Sequence, residues 1–82
     1  MEKVLLLSTQ DCHLCEEAKV ICAELAIKLE EIDIVFDDQL VELYGDKIPV
    51  IMVEGAEQAL FWPFNKEHLE QYLEFYGISS FK

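Results

Sequence analysis

The chain is short of positive charge and contains no arginine. Among its 82 residues, six lysines stand against seventeen aspartates and glutamates, which gives a net charge of −11 at pH 7. Such a polyanion is repelled by phosphate backbones and by anionic lipid surfaces, so no nucleic-acid or membrane partner is expected. The acids either serve solubility alone or favour a partner with a basic docking face.

Long apolar runs are also missing. The N-terminal stretch "VLLL" falls far below the roughly 18 residues that a membrane span needs, and no signal peptide precedes it. We therefore expect a cytoplasmic protein, in a reducing compartment where paired cysteines are more often catalytic or metal-binding than structural. No repeat, linker or low-complexity segment interrupts the chain, and 82 residues are expected to form one domain over 1–82. A monomer is the expected state, although the sequence leaves the oligomeric state open.

Apolar patterning predicts an α/β chain with the element order βαβαββα. Short apolar runs between polar residues predict strands at 3–8, 31–38, 48–53 and 59–62. Steps of three and four predict a first helix from Leu14, with the apolar stripe Cys15, Ala18, Cys22, Leu25 and Leu29. Two more helices are expected, over 37–45 and after Asn65 as N-cap, the latter with the stripe Leu69, Tyr72, Leu73 and Tyr76.

These elements combine into a four-stranded mixed sheet flanked by three helices. The strand–helix–strand unit predicts a parallel pair, and the turn around Gly55 predicts an antiparallel hairpin on the same sheet. Pro49 cannot donate to a sheet ladder, so it belongs at the start of the third strand.

The motif "DCHLC", Asp11 to Cys15, lies at the predicted junction of the first strand and first helix. Cys12 at the helix N-terminus is the natural nucleophile, because unpaired backbone N–H groups and the helix dipole favour a thiolate there. Cys15 lies in the first turn and faces the same way, within reach of a disulfide. His13 adds positive charge near the thiolate when protonated, whereas Asp11 opposes it. The alternative is that His13 is an exposed residue without a role.

A metal site is the competing interpretation of this motif, because the C-x-x-C spacing also makes half of many zinc sites. The other half is hard to find, since the remaining candidates are Cys22 and His68 and no second C-x-x-C or H-x-x-x-H occurs. Cys22 lies on the core stripe of the first helix and is interpreted as a buried small hydrophobe. No metal ligands are therefore predicted.

Together "CHLC", "IPV" and "WPF" give the chain a close resemblance to small glutaredoxin-like proteins of the thioredoxin fold. The resemblance covers nearly all of the chain and implies a sheet in the order 2-1-3-4, with helices one and three on one face and helix two on the other. It also implies a cis Ile48–Pro49 bond, with Pro49 packed beside the cysteine pair. The backbone of Ile48 would then bind a substrate's extended chain next to Cys12.

Departures from the family pattern concern glutathione. Glutaredoxins that use it carry a lysine three residues before the first cysteine, where this chain has Thr9, and a Gly-Gly-acid segment where it reads "WPFNKE". Without arginine, the two glutathione carboxylates lack obvious partners, and Lys47 is a candidate substitute for one of these partners. No resident cofactor is predicted, and glutathione stays open as a co-substrate whose usual binding residues are not evident.

The sequence thus predicts a thiol–disulfide oxidoreductase in which Cys12 attacks a protein disulfide and Cys15 resolves the intermediate. Glutathione or a reductase would supply the electrons. The alternative is a binding or metal-presenting module without redox turnover. Trp62, Pro63 and Phe64 form either an apolar platform for a protein substrate or the packing that anchors strand four to helix three.

Overall fold

The computed structural model describes residues 3–78, which contain four strands and three α-helices. The strands are β1 (Val4–Ser8), β2 (Leu29–Asp33), β3 (Val50–Val53) and β4 (Leu60–Phe61). The helices are α1 (His13–Glu24), α2 (Asp38–Tyr44) and α3 (Lys66–Phe75), with a short 3-10 helix at Ile34–Phe36. This is the βαβαββα order that the patterning predicts.

All four strands belong to one sheet in the order β2-β1-β3-β4. β1 pairs with β2 in parallel, whereas β1 with β3 and β3 with β4 are antiparallel. The predicted mixed sheet and its 2-1-3-4 order are therefore confirmed. β1 lies inside the sheet and is hydrogen-bonded to a strand on each side. The cysteine segment therefore follows directly from a strand that is paired on both edges.

Two apolar clusters cover the two faces of the sheet, because successive side chains on a strand point to opposite sides. Leu6 of β1 packs in the larger cluster, with buried residues of α1 and α3. Leu7 packs in the smaller one, together with Val50 and partly buried residues of α2. The helices are thus layered as expected, with α1 and α3 on one face and α2 on the other.

Helix α1 is shorter than its predicted apolar stripe. It ends at Glu24, and Leu29 opens β2 instead of extending the stripe. Ala26 adopts a left-handed conformation with φ 55°, and the N–H of Ile27 donates to the Cys22 carbonyl at 3.3 Å. Such a left-handed residue closes a helix and reverses the chain, which returns it alongside β1.

Strand β2 starts and ends earlier than the predicted 31–38. Asp33 ends it, because its Oδ1 accepts the N–H of Val35 at 3.1 Å and the chain turns into the 3-10 helix at Ile34–Phe36. This side-chain bond competes with the sheet ladder. Strand β4 is likewise only two residues long and stops before Trp62–Pro63.

Helix α3 begins where its sequence predicts. The Asn65 side chain accepts the N–H of His68 at 2.8 Å, and His68 Nδ1 accepts the N–H of Asn65 at 3.4 Å, which together form a capping box. His68 is therefore an exposed capping residue. None of the helices within residues 3–78 has the length and apolar content needed to cross a bilayer.

Candidate active site

Cys12 and Cys15 form a disulfide at the N-terminus of α1, with 5.2 Å between their Cα atoms. Cys12 is the N-cap of this helix, and its Sγ accepts the backbone N–H of Cys15 at 3.1 Å. Helix N-terminal N–H groups stabilise negative charge at such a position. When the pair is reduced, this contact favours the thiolate form of Cys12.

The two sulfur-bearing residues differ in exposure. Cys15 is only 1% exposed and belongs to the buried part of α1, whereas Cys12 is partly exposed. Both border the same open cleft, so they face the same way, as predicted. Cys12 is therefore the more accessible of the two from solvent.

The cleft beside the cysteines has a volume of about 780 Å³, and we call it the acidic cleft. It lies where β1 and β2 end and where α1 begins. Its charged lining consists of one ammonium group and four carboxylates, contributed by Lys19, Asp11, Glu16, Glu31 and Asp33. The surroundings of the disulfide on this side are thus strongly negative.

A polar network ties α1 to the two strands at the wall of the acidic cleft. Ser8 Oγ donates to Glu31 Oε2 at 2.8 Å, and Lys19 Nζ lies 2.9 Å from the same oxygen and 3.2 Å from Glu16 Oε2. Hydrogen bonds from Lys19 and then from Ser8 hold the pKa of Glu31 below its usual value. Bonds to Glu31 and then to Glu16 raise the pKa of Lys19, so the Lys19–Glu31 pair stays charged at neutral pH.

A second depression, the apolar groove, has a volume of about 300 Å³. Leu14, which stands between His13 and Cys15 in the chain, lines it together with Ile48, Phe61 and Trp62. Its charged residues, Asp46 and Lys47, lie 3.6 Å apart and balance each other. The cysteine segment therefore borders an acidic cleft and a charge-balanced apolar groove.

Ile48 and Pro49 lead into β3. Pro49 is fully buried and its peptide bond with Ile48 is cis. The structure brings Ile48 to the apolar groove beside Leu14, but neither Ile48 nor Pro49 borders the acidic cleft. The Ile48 N–H donates to the Tyr44 carbonyl at 3.2 Å, so this donor is already engaged within the protein.

The two residues that flank Cys12 both lie at the surface. Asp11 has a left-handed φ of 57°, which aspartate tolerates better than most residues, and it lines the acidic cleft. The His13 side chain is 90% exposed, and its Nε2 lies 4.0 Å from Glu17 Oε2 one turn further along α1. Both residues therefore flank Cys12 in the chain and are exposed.

The segment Trp62–Pro63–Phe64 divides between the two roles considered for it. Phe64 is 5% exposed and packs in the larger apolar cluster, with its ring edge-on to Trp62 at 5.1 Å between centroids. Trp62 also lines the apolar groove. Phe64 thus anchors the start of α3 in the core, whereas Trp62 contributes an aromatic ring to the apolar groove.

Sequence reasoning missed Ser8, Lys19 and Glu31. The signal was partly present, since Ser8 ends β1 and Glu31 lies near the end of the parallel neighbour β2, and the carboxyl ends of parallel strands meet at one sheet edge. Lys19 follows Cys15 by one helical turn. No group of three or more His, Cys, Asp or Glu side chains within residues 3–78 is placed to hold a metal ion.

Cys22 is buried at 1% exposure, which confirms that it belongs to the core, and burial raises the pKa of its thiol to about 11. Alkylating reagents react with the thiolate form of cysteine. With a pKa of about 11, only about one Cys22 side chain in a thousand is a thiolate at pH 8. We expect iodoacetamide to label Cys12 in the reduced native protein, and Cys22 only after unfolding, as measured by peptide mass mapping. Native labelling of Cys22 as fast as Cys12 would contradict this placement.

Comparison with known proteins agrees with this fold. The model of the family described as Glutaredoxin-like domain (DUF836) matches residues 3–74. The X-ray structure of target protein XcR50 from X. campestris is 30% identical, with 88% of this chain and 96% of that chain covered and a TM-score of 0.78. The solution structure of protein Ne2328 from Nitrosomonas europaea is 25% identical, with 87% and 89% covered and a TM-score of 0.66. No curated protein matches the chain. The family match, which spans most of the chain and includes the C-x-x-C segment, places this protein in the glutaredoxin-like family of the thioredoxin fold.

Proposed function

We propose that the protein is a thiol–disulfide oxidoreductase that reduces or exchanges disulfides of a protein substrate. The observation that carries this proposal is the unequal cysteine pair at the helix N-terminus. Cys12 caps α1, accepts the Cys15 N–H and is partly exposed, whereas Cys15 is buried beneath it. This arrangement separates an attacking sulfur from a resolving one.

The reaction runs in two exchanges from the reduced protein. The Cys12 thiolate attacks one sulfur of the substrate disulfide, the substrate S–S bond breaks, and the other substrate sulfur leaves as a thiolate that takes up a proton. The Cys15 thiol then loses its proton and attacks the Cys12 sulfur, which releases the second substrate thiol. Two electrons have passed to the substrate, and the Cys12–Cys15 disulfide has formed.

Electrons must then return to the protein from an external thiol, either glutathione or a reductase. The acidic cleft offers little to the two carboxylates of glutathione. The ammonium group in the acidic cleft belongs to Lys19, which forms ion pairs with Glu31 and Glu16. In the apolar groove, Lys47 is paired with Asp46. A cytoplasmic location would keep the pair reduced and ready to act.

Mass mapping across a series of glutathione redox buffers tests the proposal directly. We expect a reversible Cys12–Cys15 disulfide with a reduction potential between about −120 and −270 mV, the range of thioredoxin-fold catalysts. Cys22 supplies the internal control, because its thiol is expected to stay unmodified in every buffer. If no Cys12–Cys15 disulfide forms in any buffer, the protein is not an oxidoreductase of this kind and a binding role takes its place.

A further inference from the structure

We infer that the substrate is a protein segment with lysine or arginine close to its disulfide cysteine. This inference rests on the proposed function and adds the chemical class of the substrate. It comes from the unequal charge of the two surfaces that border the cysteine segment. The acidic cleft repels anionic substrates, whereas the apolar groove does not discriminate by charge.

The charge at the reacting sulfurs follows from the cleft lining. Four carboxylates against one ammonium group leave three net negative charges around Cys12 and Cys15 when His13 is neutral. Lys19 is already paired within the protein, because its Nζ lies within 3.2 Å of both Glu16 and Glu31. An approaching carboxylate therefore finds no unpaired cation in the described lining of the cleft.

The apolar groove on the other border of the cysteine segment has no such net charge. In the apolar groove, Asp46 and Lys47 cancel, and the other lining residues are Leu14, Ile48, Phe61 and Trp62. A substrate chain that places its cysteine at Cys12 thus meets apolar surface on one side and negative charge on the other. A basic residue within a few positions of that cysteine fills the acidic side.

The magnitude of the effect depends on ionic strength. In water, each pair of unit charges about 8 Å apart changes an encounter rate by about twofold, so several such pairs change it by about tenfold at low salt. At 1 M salt the Debye length shrinks to about 3 Å and the effect is screened. A charge-based preference therefore has a signature that shape-based recognition lacks.

The test uses three synthetic peptides, each with a single cysteine. They differ only in the two residues that flank this cysteine, which are both Lys, both Ser or both Glu. The cysteine is carried as a disulfide with 2-mercaptoethanol, and the prereduced full chain is mixed with each peptide in a single turnover at pH 7. Each rate is divided by the rate of the same peptide with dithiothreitol, which corrects for intrinsic reactivity. We expect the Lys-Lys peptide to react about tenfold faster than the Glu-Glu peptide at low salt, and nearly equally in 1 M NaCl.

Two charge-neutralising double variants locate the effect. Asp11→Asn with Glu16→Gln removes two charges from the cleft, and Asn keeps the left-handed tolerance needed at position 11. Glu42→Gln with Glu74→Gln removes the same charge from exposed helix positions outside the cleft. The preference should fall several-fold in the first variant and persist in the second.

The outcomes separate this inference from the proposed function. If all three peptides react at equal corrected rates, or if the Glu-Glu peptide is preferred, the protein exchanges disulfides but the cationic substrate class is wrong. An equal loss of preference in both double variants would also overturn it, because net charge alone would then be responsible. If no peptide reacts, the proposed function itself fails.

Discussion

Replacing Cys12 with serine is expected to reduce disulfide exchange to the level of the uncatalysed reaction in buffer. A serine hydroxyl is not ionised at neutral pH, so the helix N-terminus has no anion to stabilise and no thiolate attacks the substrate. The side-chain oxygen can still accept the Cys15 N–H as an N-cap, which keeps the first turn of α1 intact. The measurement is the rate of reduction of the Ser-Ser peptide disulfide by each prereduced protein.

Cys15→Ser divides the two roles. Attack by Cys12 still occurs, but no neighbouring thiol releases the product, so the protein should accumulate as a mixed disulfide with the peptide. Intact-mass spectrometry then detects a protein whose mass is increased by the bound thiol, whereas Cys12→Ser gives no adduct. Cys22→Ala is the matched control, because Cys22 lies in the core away from the cleft and its loss should leave both the rate and the adduct pattern unchanged.

Two results would contradict the assignment of roles. A stable adduct on Cys12→Ser, with Cys15→Ser still turning over, would make the buried sulfur the nucleophile despite its 1% exposure. Retained turnover in both single variants would assign the activity to another group. All comparisons are made on reduced proteins, so that loss of the disulfide itself does not alter their stability.

Local patterns in the sequence were sufficient for the parts of the site that local chemistry fixes. The position of Cys12 at a helix N-terminus follows from the change of apolar period after β1, and the Asn65 cap follows from its residue type. The C-x-x-C spacing alone brings the two cysteines to a Cα separation of 5.2 Å. These features depend on one turn of chain.

Other features depend on contacts between distant segments and were not predicted. Ser8 and Glu31 are 23 residues apart, and their hydrogen bond requires the parallel register of β1 and β2. The end of β2 was missed for another reason, because Ile34–Phe36 has strand-like composition and yet turns, owing to the Asp33 side-chain bond. The exposure of Phe36 at 86% shows that this apolar residue does not mark a buried strand position.

The largest expected effect on stability comes from Leu69→Ala in the first half of α3. Leu69 has no exposed surface and belongs to the cluster that joins α1, α3 and the sheet. Alanine has a higher helix propensity than leucine, so any loss reports packing and not helix formation. Removing a buried leucine side chain costs about 2–5 kcal/mol, through lost transfer energy and the cavity left behind. For a domain of this size, whose whole stability is about 4–12 kcal/mol, this lowers the melting temperature by roughly 10 °C or more.

Leu43→Ala is the matched control, because it makes the same chemical change on α2 at a residue that is 59% exposed. Its effect on the free energy of unfolding should stay within about 0.5 kcal/mol. Thermal unfolding of the reduced proteins, followed by circular dichroism, compares the two variants. Equal destabilisation by both would mean that α3 does not pack on the sheet as described. A loss confined to Leu69→Ala, with Cys12→Ser as stable as the parent chain, would separate the residues that hold this fold together from those that carry its chemistry.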